Sequence, residues 1–358
     1  MSNTFGQHIK VTIFGESHGT AIGCIIDGLP AGISIDEEAL RAEMARRAPG
    51  NSNLATPRKE KDAYEILSGY FNGHTTGTPL AMEIRNKSQH SSDYDILKDN
   101  MRPGHADYTG HVKYGGFNDY RGGGHFSGRI TAPLTFAGAI ARQVLESKGI
   151  YIGSHVTRIG HIEDQHFEPM GESKETFEIL RKQKLPVLTE SIGQQMEEEI
   201  LAAKNEADSI GGVVECMAIG LPVGLGDPFF DSLESELAHM MFSIPAVKGI
   251  EFGDGFDLAG MHGSEANDPM AYAEGKPTVT ANHNGGILGG ISNGAPLLFR
   301  VAIKPTASIG KEQHTVNITT GQDTLLSVGG RHDPCIVPRA IPVIETATAL
   351  VLLDTLLG

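Results

Sequence analysis

Four short loops carry the residue types that move protons and hold anions. Phe14-Gly15-Glu16-Ser17-His18-Gly19 sets an imidazole between Ser17 and Gly19. It follows an alternating run from Ile9 to Phe14 that predicts a strand. A histidine at a strand end stands on a rigid support and is placed for acid–base work; the same loop also reads as a turn whose His18 caps the strand. Arg102-Pro103-Gly104-His105-Ala106-Asp107 puts a second imidazole beside a guanidinium and a carboxylate, and alone it reads as a solvated loop. In Tyr120-Arg121-Gly122-Gly123-Gly124-His125-Phe126-Ser127-Gly128-Arg129, three glycines precede a helix expected from Thr131. Glycine N–H groups and a helix N-terminus can face a phosphate. Arg121 and Arg129 add full charge, and the alternative is a mobile glycine loop. Val328-Gly329-Gly330-Arg331-His332-Asp333-Pro334-Cys335 places a cation, an imidazole and a carboxylate side by side, or a local ion pair on a turn.

Charge placement points to an anionic ligand. The 358 residues hold 44 Asp and Glu against 29 Lys and Arg, for a net charge of −15. Such a chain is a poor general binder of nucleic acid or of an anionic membrane. Residues 41–61 run against the trend. Arg41, Arg46, Arg47, Arg58, Lys59 and Lys61 face only Glu43 and Glu60, a surplus of four positive charges. Arginine grips carboxylate and phosphate through two donors at once, so a substrate with several negative charges is expected. Apolar residues at 39% and charged residues at 20% fit a soluble globular protein. Cys24, Cys216 and Cys335 are odd in number and far apart, which suits neither a disulfide framework nor a metal knuckle. The N-terminus lacks a signal-peptide pattern, and nothing approaches 18 uninterrupted apolar residues. A cytoplasmic protein without a membrane span is expected. The chain has no P-loop, no GxGxxG and no HExxH.

The elements that must position these loops come in mixed order. After the first strand, a second is expected over Ala21–Asp27. Ser34-Ile35-Asp36-Glu37 has capping-box spacing and opens a helix to Ala48, which Pro49-Gly50 stops. Residues 50–62, 86–128 and 245–296 read mostly as loop, and loops this long tend to be functional. A helix from Thr131 has Pro133 in its first turn, Phe136, Ile140 and Val144 on one face, and Gly149 as a stop. Two surface helices are expected near 173–184 and 190–206. A buried strand follows over Gly211–Ile219, then a helix opened by Asp231 and Glu234 and running to Phe242. A strand over Leu298–Lys304 and a long apolar helix over 339–357 complete the reading. This order favours an α+β fold over a doubly wound sheet. No repeat and no clean linker divide residues 1–358. The residues alone thus yield an α+β enzyme with a polyanionic small substrate, arginine clamps, and His and Asp as proton carriers. Elimination, isomerisation and phosphoryl chemistry all remain open.

Taken together, the loops resemble the chorismate synthase family. The matching stretches are Phe14–Gly19, Arg46-Arg47 with Pro49-Gly50, Arg102–Asp107, Asp119–Gly124, Pro245–Phe256, Asn282–Ser292, Lys304-Pro305-Thr306 and Gly330–Cys335, in family order over nearly the whole chain. The resemblance implies a β-α-β sandwich with long Gly-rich active-site loops. It implies a lyase that eliminates phosphate from 5-enolpyruvylshikimate 3-phosphate in a 1,4-anti sense to give chorismate, the last step of the shikimate pathway. It implies reduced FMN as cofactor, with no net redox change, and typically a homotetramer. With no dinucleotide motif in the chain, an external flavin reductase is expected rather than NADPH-driven reduction by the protein itself.

Site roles follow from the same resemblance. His18 matches a histidine that protonates the reduced flavin, with Ser17 beside it in a proton relay. His105 matches one that protonates the departing phosphate, and Asp333 a carboxylate that helps remove the ring proton. Arg46, Arg47 and Arg129 match anion-binding positions. His125, Ser127, Ala246, Gly289, Lys304, Pro305, Thr306, Ala307, Ser308 and Arg331 match FMN positions. The chain departs from the commoner pattern at three places. After the triple glycine, His125 and Phe126 replace an Arg and a Ser, so contacts there are expected through backbone or stacking. Asn53 replaces an Arg, for which Arg58 is the candidate substitute. Two rival readings are a flavin- or phosphometabolite-binding module without catalysis, and a His-dependent phosphatase using the same arginines.

Overall fold

Strict alternation builds the first sheet. In the computed structural model, which describes residues 3–50, 54, 62–86, 96–329 and 332–358, its strands run in the order Thr4–Phe5, Lys10–Gly15, Ala21–Asp27, Leu80–Arg85 and Tyr64–Ser68. All pair antiparallel, with Ile13 opposite Cys24 and Cys24 opposite Met82. Val11, Ile22, Cys24, Ile26, Leu80, Met82 and Ile84 are buried, while Phe14 and Ile25 on the same strands are exposed. A period of two thus gives the sheet one core face.

A second antiparallel sheet has the order Val247–Phe252, Leu297–Ile303, Gly212–Ile219, Tyr151–Ile159 and Ile162–Glu163. Between the sheets lie two long helices. Thr131–Ser147 packs on the first sheet, Val337–Leu357 packs on the second, and the two pack on each other. The expected β-α-β sandwich is therefore the architecture; one apolar core joins both sheets and the helices between them, and a smaller cluster of Phe167, Phe177, Leu180, Met217 and Leu298 includes residues of the second sheet. Val337–Leu357 is long and apolar enough to cross a bilayer, yet it lies buried at the centre. Contact between the two helices is close because Gly138 has no side chain: a Cβ there would sit 2.1 Å from the Thr346 carbonyl oxygen.

Several boundaries differ from the sequence reading. Asp36, not Ser34, caps Glu37–Arg47 by accepting from the Glu38 and Ala39 N–H groups. Ser232, not Asp231, caps Leu233–Ser243. The stretch 86–128 contains the helix Asp107–Lys113 and a 3-10 turn over Arg121–Phe126. The stretch 245–296 supplies an edge strand of the second sheet, Val247–Phe252. Strands Tyr64–Ser68, Leu80–Arg85 and Tyr151–Ile159 gave no clear signal in the sequence.

Buried charges lock the helices in place. Arg46 donates to Glu43 at 2.7 Å and to Glu345 at 2.6 Å, and Arg142 donates to Glu43 at 2.7 Å. Glu345 also accepts from the Ser154 hydroxyl at 2.9 Å, so three helices and a strand share one network. Burial would raise Glu43, but Arg142 and Arg46 outweigh it and hold the carboxyl at about 2, below its ordinary 4.5. Such networks specify geometry more than they add stability, and losing one partner is costly. The cysteines are buried free thiols.

Two outcomes are expected. Gly138→Ala forces the central helices apart and lowers stability by about 1–3 kcal/mol, read as a drop in thermal midpoint. The depressed Glu43 carboxyl stabilises the fold at pH values above 4.5, and that contribution is lost as pH falls from 4.5 towards about 2. Thermal melts across this window should show the midpoint declining; a flat profile would show that Glu43 is not held in this way.

Candidate active site

The glycine loop exists to admit two imidazoles. Gly122, Gly123 and Gly124 all have left-handed backbones, with φ of 59°, 82° and 52°. A Cβ on Gly122 would lie 2.2 Å from His18 Cε1 and Nδ1, and one on Gly123 would lie 3.2 Å from His105 Cε1 and Nε2. A Cβ on Gly124 would meet the Asp119 carbonyl oxygen at 2.0 Å. No side chain fits at the first or last of these positions. The Ser17 N–H donates to the Gly124 carbonyl at 3.0 Å, which fastens the first histidine loop to the glycine loop. Ser17 and His18 are buried.

His105 is built into a polar brace. Its Nδ1 lies 2.6 Å from Asp107 Oδ1. Arg102 donates to both Asp107 oxygens at 2.7 Å and to the Ser308 hydroxyl at 2.9 Å. Burial would raise the Asp107 carboxyl, but hydrogen bonds from Arg102 and His105 hold it well below the usual carboxylate range.

A second brace orders the remaining arginines. Asp62 takes Arg47 on one oxygen, at 2.8 Å from Nε and 2.6 Å from a terminal nitrogen, and Arg129 on the other at 3.0 Å. Arg129 Nε donates to Asn86 at 2.7 Å, and Asn86 donates to the Glu16 and Gly19 carbonyls. Arg339 donates to Asp333 at 2.5 Å and to the Arg47 carbonyl at 3.2 Å. Burial lowers the Arg339 guanidinium, and Asp333 opposes that effect. One hydrogen-bonded path thus runs from the His18 loop to Asp333.

These groups surround a cavity of about 760 Å³. Ser17, Arg47, His105, His125, Ser127, Arg129, Ala246, Lys304, Pro305, Thr306, Ala307, Ser308 and Asp333 all line it, and His18 lies just behind, against Gly122. Lys304 donates its ammonium to the Gly104 carbonyl, and the Thr306 hydroxyl donates to the Asp333 carbonyl at 2.7 Å. His125 Nδ1 sits 2.8 Å from the Gly15 carbonyl oxygen. The Phe126 ring occupies the space over Gly110, where a Cβ would come within 2.6 Å of it. The two departures at 125 and 126 thus rest on backbone, His125 on the Gly15 carbonyl and Phe126 on Gly110, while both line the cavity. Leu134, Met240, Ile336 and Val343 give the cavity an apolar wall.

Some expected site residues lie elsewhere. Arg46 points into the helix interface, held by Glu43 and Glu345, and does not line the cavity. Arg121 is turned onto Asp119 with two contacts of 2.8 Å, so the bracketing arginines do not both face a phosphate. Gly289 is an exposed hairpin turn between Ile287-Leu288 and Ile291-Ser292, outside the cavity. Asp333 pairs with Arg339, six residues further on in the C-terminal helix. Arg331, Arg58 and Asn53 fall outside the described residues. Asp62, Asn86 and Arg339 escaped the sequence reading. Asp62 was legible only as a lone acid after a basic run, and Asn86 carried no signal.

An antiparallel sandwich that closes on one cationic cavity, with imidazoles and a carboxylate at its wall, defines an acid–base enzyme for a small polyanion. Comparison with known proteins narrows this. The family model described as chorismate synthase matches residues 9–357. A curated relative named chorismate synthase from Dehalococcoides mccartyi is 48% identical over 354 residues, covering 99% of this chain and 96% of that protein. Another from Methanosarcina barkeri is 46% identical over 355 residues, with coverage of 99% and 96%. A solved structure titled "Crystal Structure of Chorismate Synthase" superposes with a TM-score of 0.77 at 30% identity, covering 99% of this chain and 93% of that one. The chain belongs to the chorismate synthase family and is a lyase.

Gly122→Ala should drive a methyl group into His18 and lower turnover by about 10²-fold, the scale of a 1 Å displacement at a reacting centre. Gly260→Ala, outside the cavity and with nothing within 4 Å of its Cβ, is the control. Equal rates for the two variants would show that the His18 contact is irrelevant to turnover.

Proposed function

We propose that the chain converts 5-enolpyruvylshikimate 3-phosphate to chorismate and inorganic phosphate by 1,4-anti elimination, with reduced FMN bound in the same cavity. The carrying observation is convergence. Ser17, His105 and Asp333, far apart in sequence, line one cavity of about 760 Å³ together with Arg47, Arg129 and Arg339, and His18 stands directly behind. A substrate with one phosphate and two carboxylates needs such a cationic wall.

The residues fit a flavin. The apolar wall suits a planar ring, and the Lys304–Ser308 segment offers an ammonium, backbone and the Ser308 hydroxyl to an anionic tail. His125, Ser127, Ala246 and Lys304–Ser308 would hold it, with Arg331 as a further candidate; Gly289 is left out because of its position. When bound, reduced FMN would supply electron density for the loss of phosphate, with no net redox change. The protein does the proton work. His105 protonates the departing phosphate from Nε2. The Asp333 carboxylate, oriented by Arg339, takes up the ring proton. His18 holds a proton beside the cofactor, with the Ser17 hydroxyl as relay. Arg47 and Arg129 hold the substrate anions. The assembly is a homotetramer, supported by the exposed Phe229, Phe230 and Phe256 at 92%, 90% and 85%. The reaction belongs in the cytoplasm, in keeping with the free thiols, and reduced FMN comes from an external reductase.

An anaerobic chorismate assay with chemically reduced FMN tests the reading. Turnover is expected only with reduced flavin, and His18→Ala and His105→Ala should each lower it by roughly 10²–10⁴-fold. If both variants change affinity alone, the chain is a binding module. Phosphate release without flavin would make it a phosphatase.

A further inference from the structure

We propose that Asp107, itself pinned by Arg102, is a positioning residue that holds His105 in the Nδ1–H form, so that Nε2 is the atom that exchanges protons in the cavity. This deepens the assignment of His105 as the acid for the departing phosphate and rests on it.

Geometry assigns the tautomer. His105 Nδ1 lies 2.6 Å from Asp107 Oδ1. Two lone pairs cannot face each other at that distance, so Nδ1 carries hydrogen and the carboxylate accepts it. An Arg102 terminal nitrogen also lies 3.0 Å from Nδ1, but it donates to the same Asp107 oxygen at 2.7 Å. The short approach of the two donors follows from their sharing one acceptor.

Asp107 cannot swing away. Its Oδ2 accepts from Arg102 Nε at 2.7 Å and from the Arg102 backbone N–H at 3.1 Å. Arg102 is held in turn by the Ser308 hydroxyl at 2.9 Å, at the end of the segment proposed to seat the cofactor. The side chains of Arg102 and Asp107 are 4% and 6% exposed, so water competes little for these bonds. On the opposite edge, His105 Nε2 faces Gly123, where even a methyl group would stand only 3.2 Å away. The ring is thus clamped at Nδ1, its Nε2 edge meets a position that has no side chain, and the residue lines the cavity. A carboxylate behind an imidazole fixes tautomer and orientation and stabilises the protonated ring.

The test begins with the unaltered protein. In ¹⁵N-histidine-labelled enzyme at alkaline pH, with the His105 signals assigned by their loss in His105→Gln, neutral His105 should show a protonated Nδ1 and a bare Nε2. A protonated Nε2 overturns the proposal. Asp107→Asn places amide hydrogens among the Arg102 donors and removes the fixed acceptor. It should lower kcat by about 10–10²-fold while KM changes by less than about threefold. Added to His105→Ala, it should cost less than about threefold more, because the two side chains act as one unit. A full, multiplicative loss in the double variant, or equal shifts in kcat and KM, would instead mean that Asp107 only supports the fold. If the unaltered protein forms no chorismate, the elimination reading fails, and the tautomer measurement still decides the role of Asp107.

Discussion

Crowding guanidinium groups around one cavity is the constraint that the rest of the site answers. Two unit charges 4 Å apart interact by about 4 kcal/mol at an effective dielectric constant of about 20. Arg47 and Arg129 are brought together at one wall, and the buried Asp62 between them neutralises part of that repulsion. Arg102 has Asp107, and Arg339 has Asp333. The acidic excess of the chain is thus not only a surface property. Selected carboxylates stand behind selected arginines, so that positive edges face the cavity in fixed directions. Preorganisation of this kind spares the enzyme from rearranging its dipoles when the substrate arrives.

The same pairing joins binding to proton transfer. Asn86 ties the backbone of the His18 loop to Arg129, Asp62 ties Arg129 to Arg47, and Arg339 bridges the Arg47 carbonyl and the Asp333 carboxylate. A ligand gripped at the arginines therefore meets groups already held at fixed positions. The scaffold beneath is stiff. Thr131–Ser147 starts directly after the glycine loop, and Val337–Leu357 starts directly after Asp333. The two helices pack against each other through Gly138. Loops on both sides of the cavity are thus anchored to one helix pair, which sets their spacing.

Local chemistry made much of this molecule legible from its sequence. The alternation over Ile9–Phe14, the apolar stripe after Thr131 and the apolar C-terminal stretch are short-range patterns, and each became the expected element within a residue or two. His18, His105 and Asp333 stood out because histidines and acids flanked by glycine and proline are unusual neighbours. Their ordered set was enough to indicate the family.

Partnership was beyond its reach. The chain places Arg46 and Arg47 side by side, yet a helix turns successive residues about 100° apart. Arg47 therefore meets Asp62 at the cavity, and Arg46 meets Glu345 in the core. Asp62 acquires meaning only through Arg47 and Arg129, 15 and 67 positions away, Asn86 through Arg129, 43 away, and Arg339 through the Arg47 carbonyl, 292 away. The three glycines read as a phosphate cradle, but folding laid two imidazoles against them. Sequence determined which elements form and which groups are available, because propensity and periodicity act over a few residues. Tertiary structure alone decided which carboxylate neutralises which arginine, because that pairing depends on distances that exist only once both sheets have closed on the central helices.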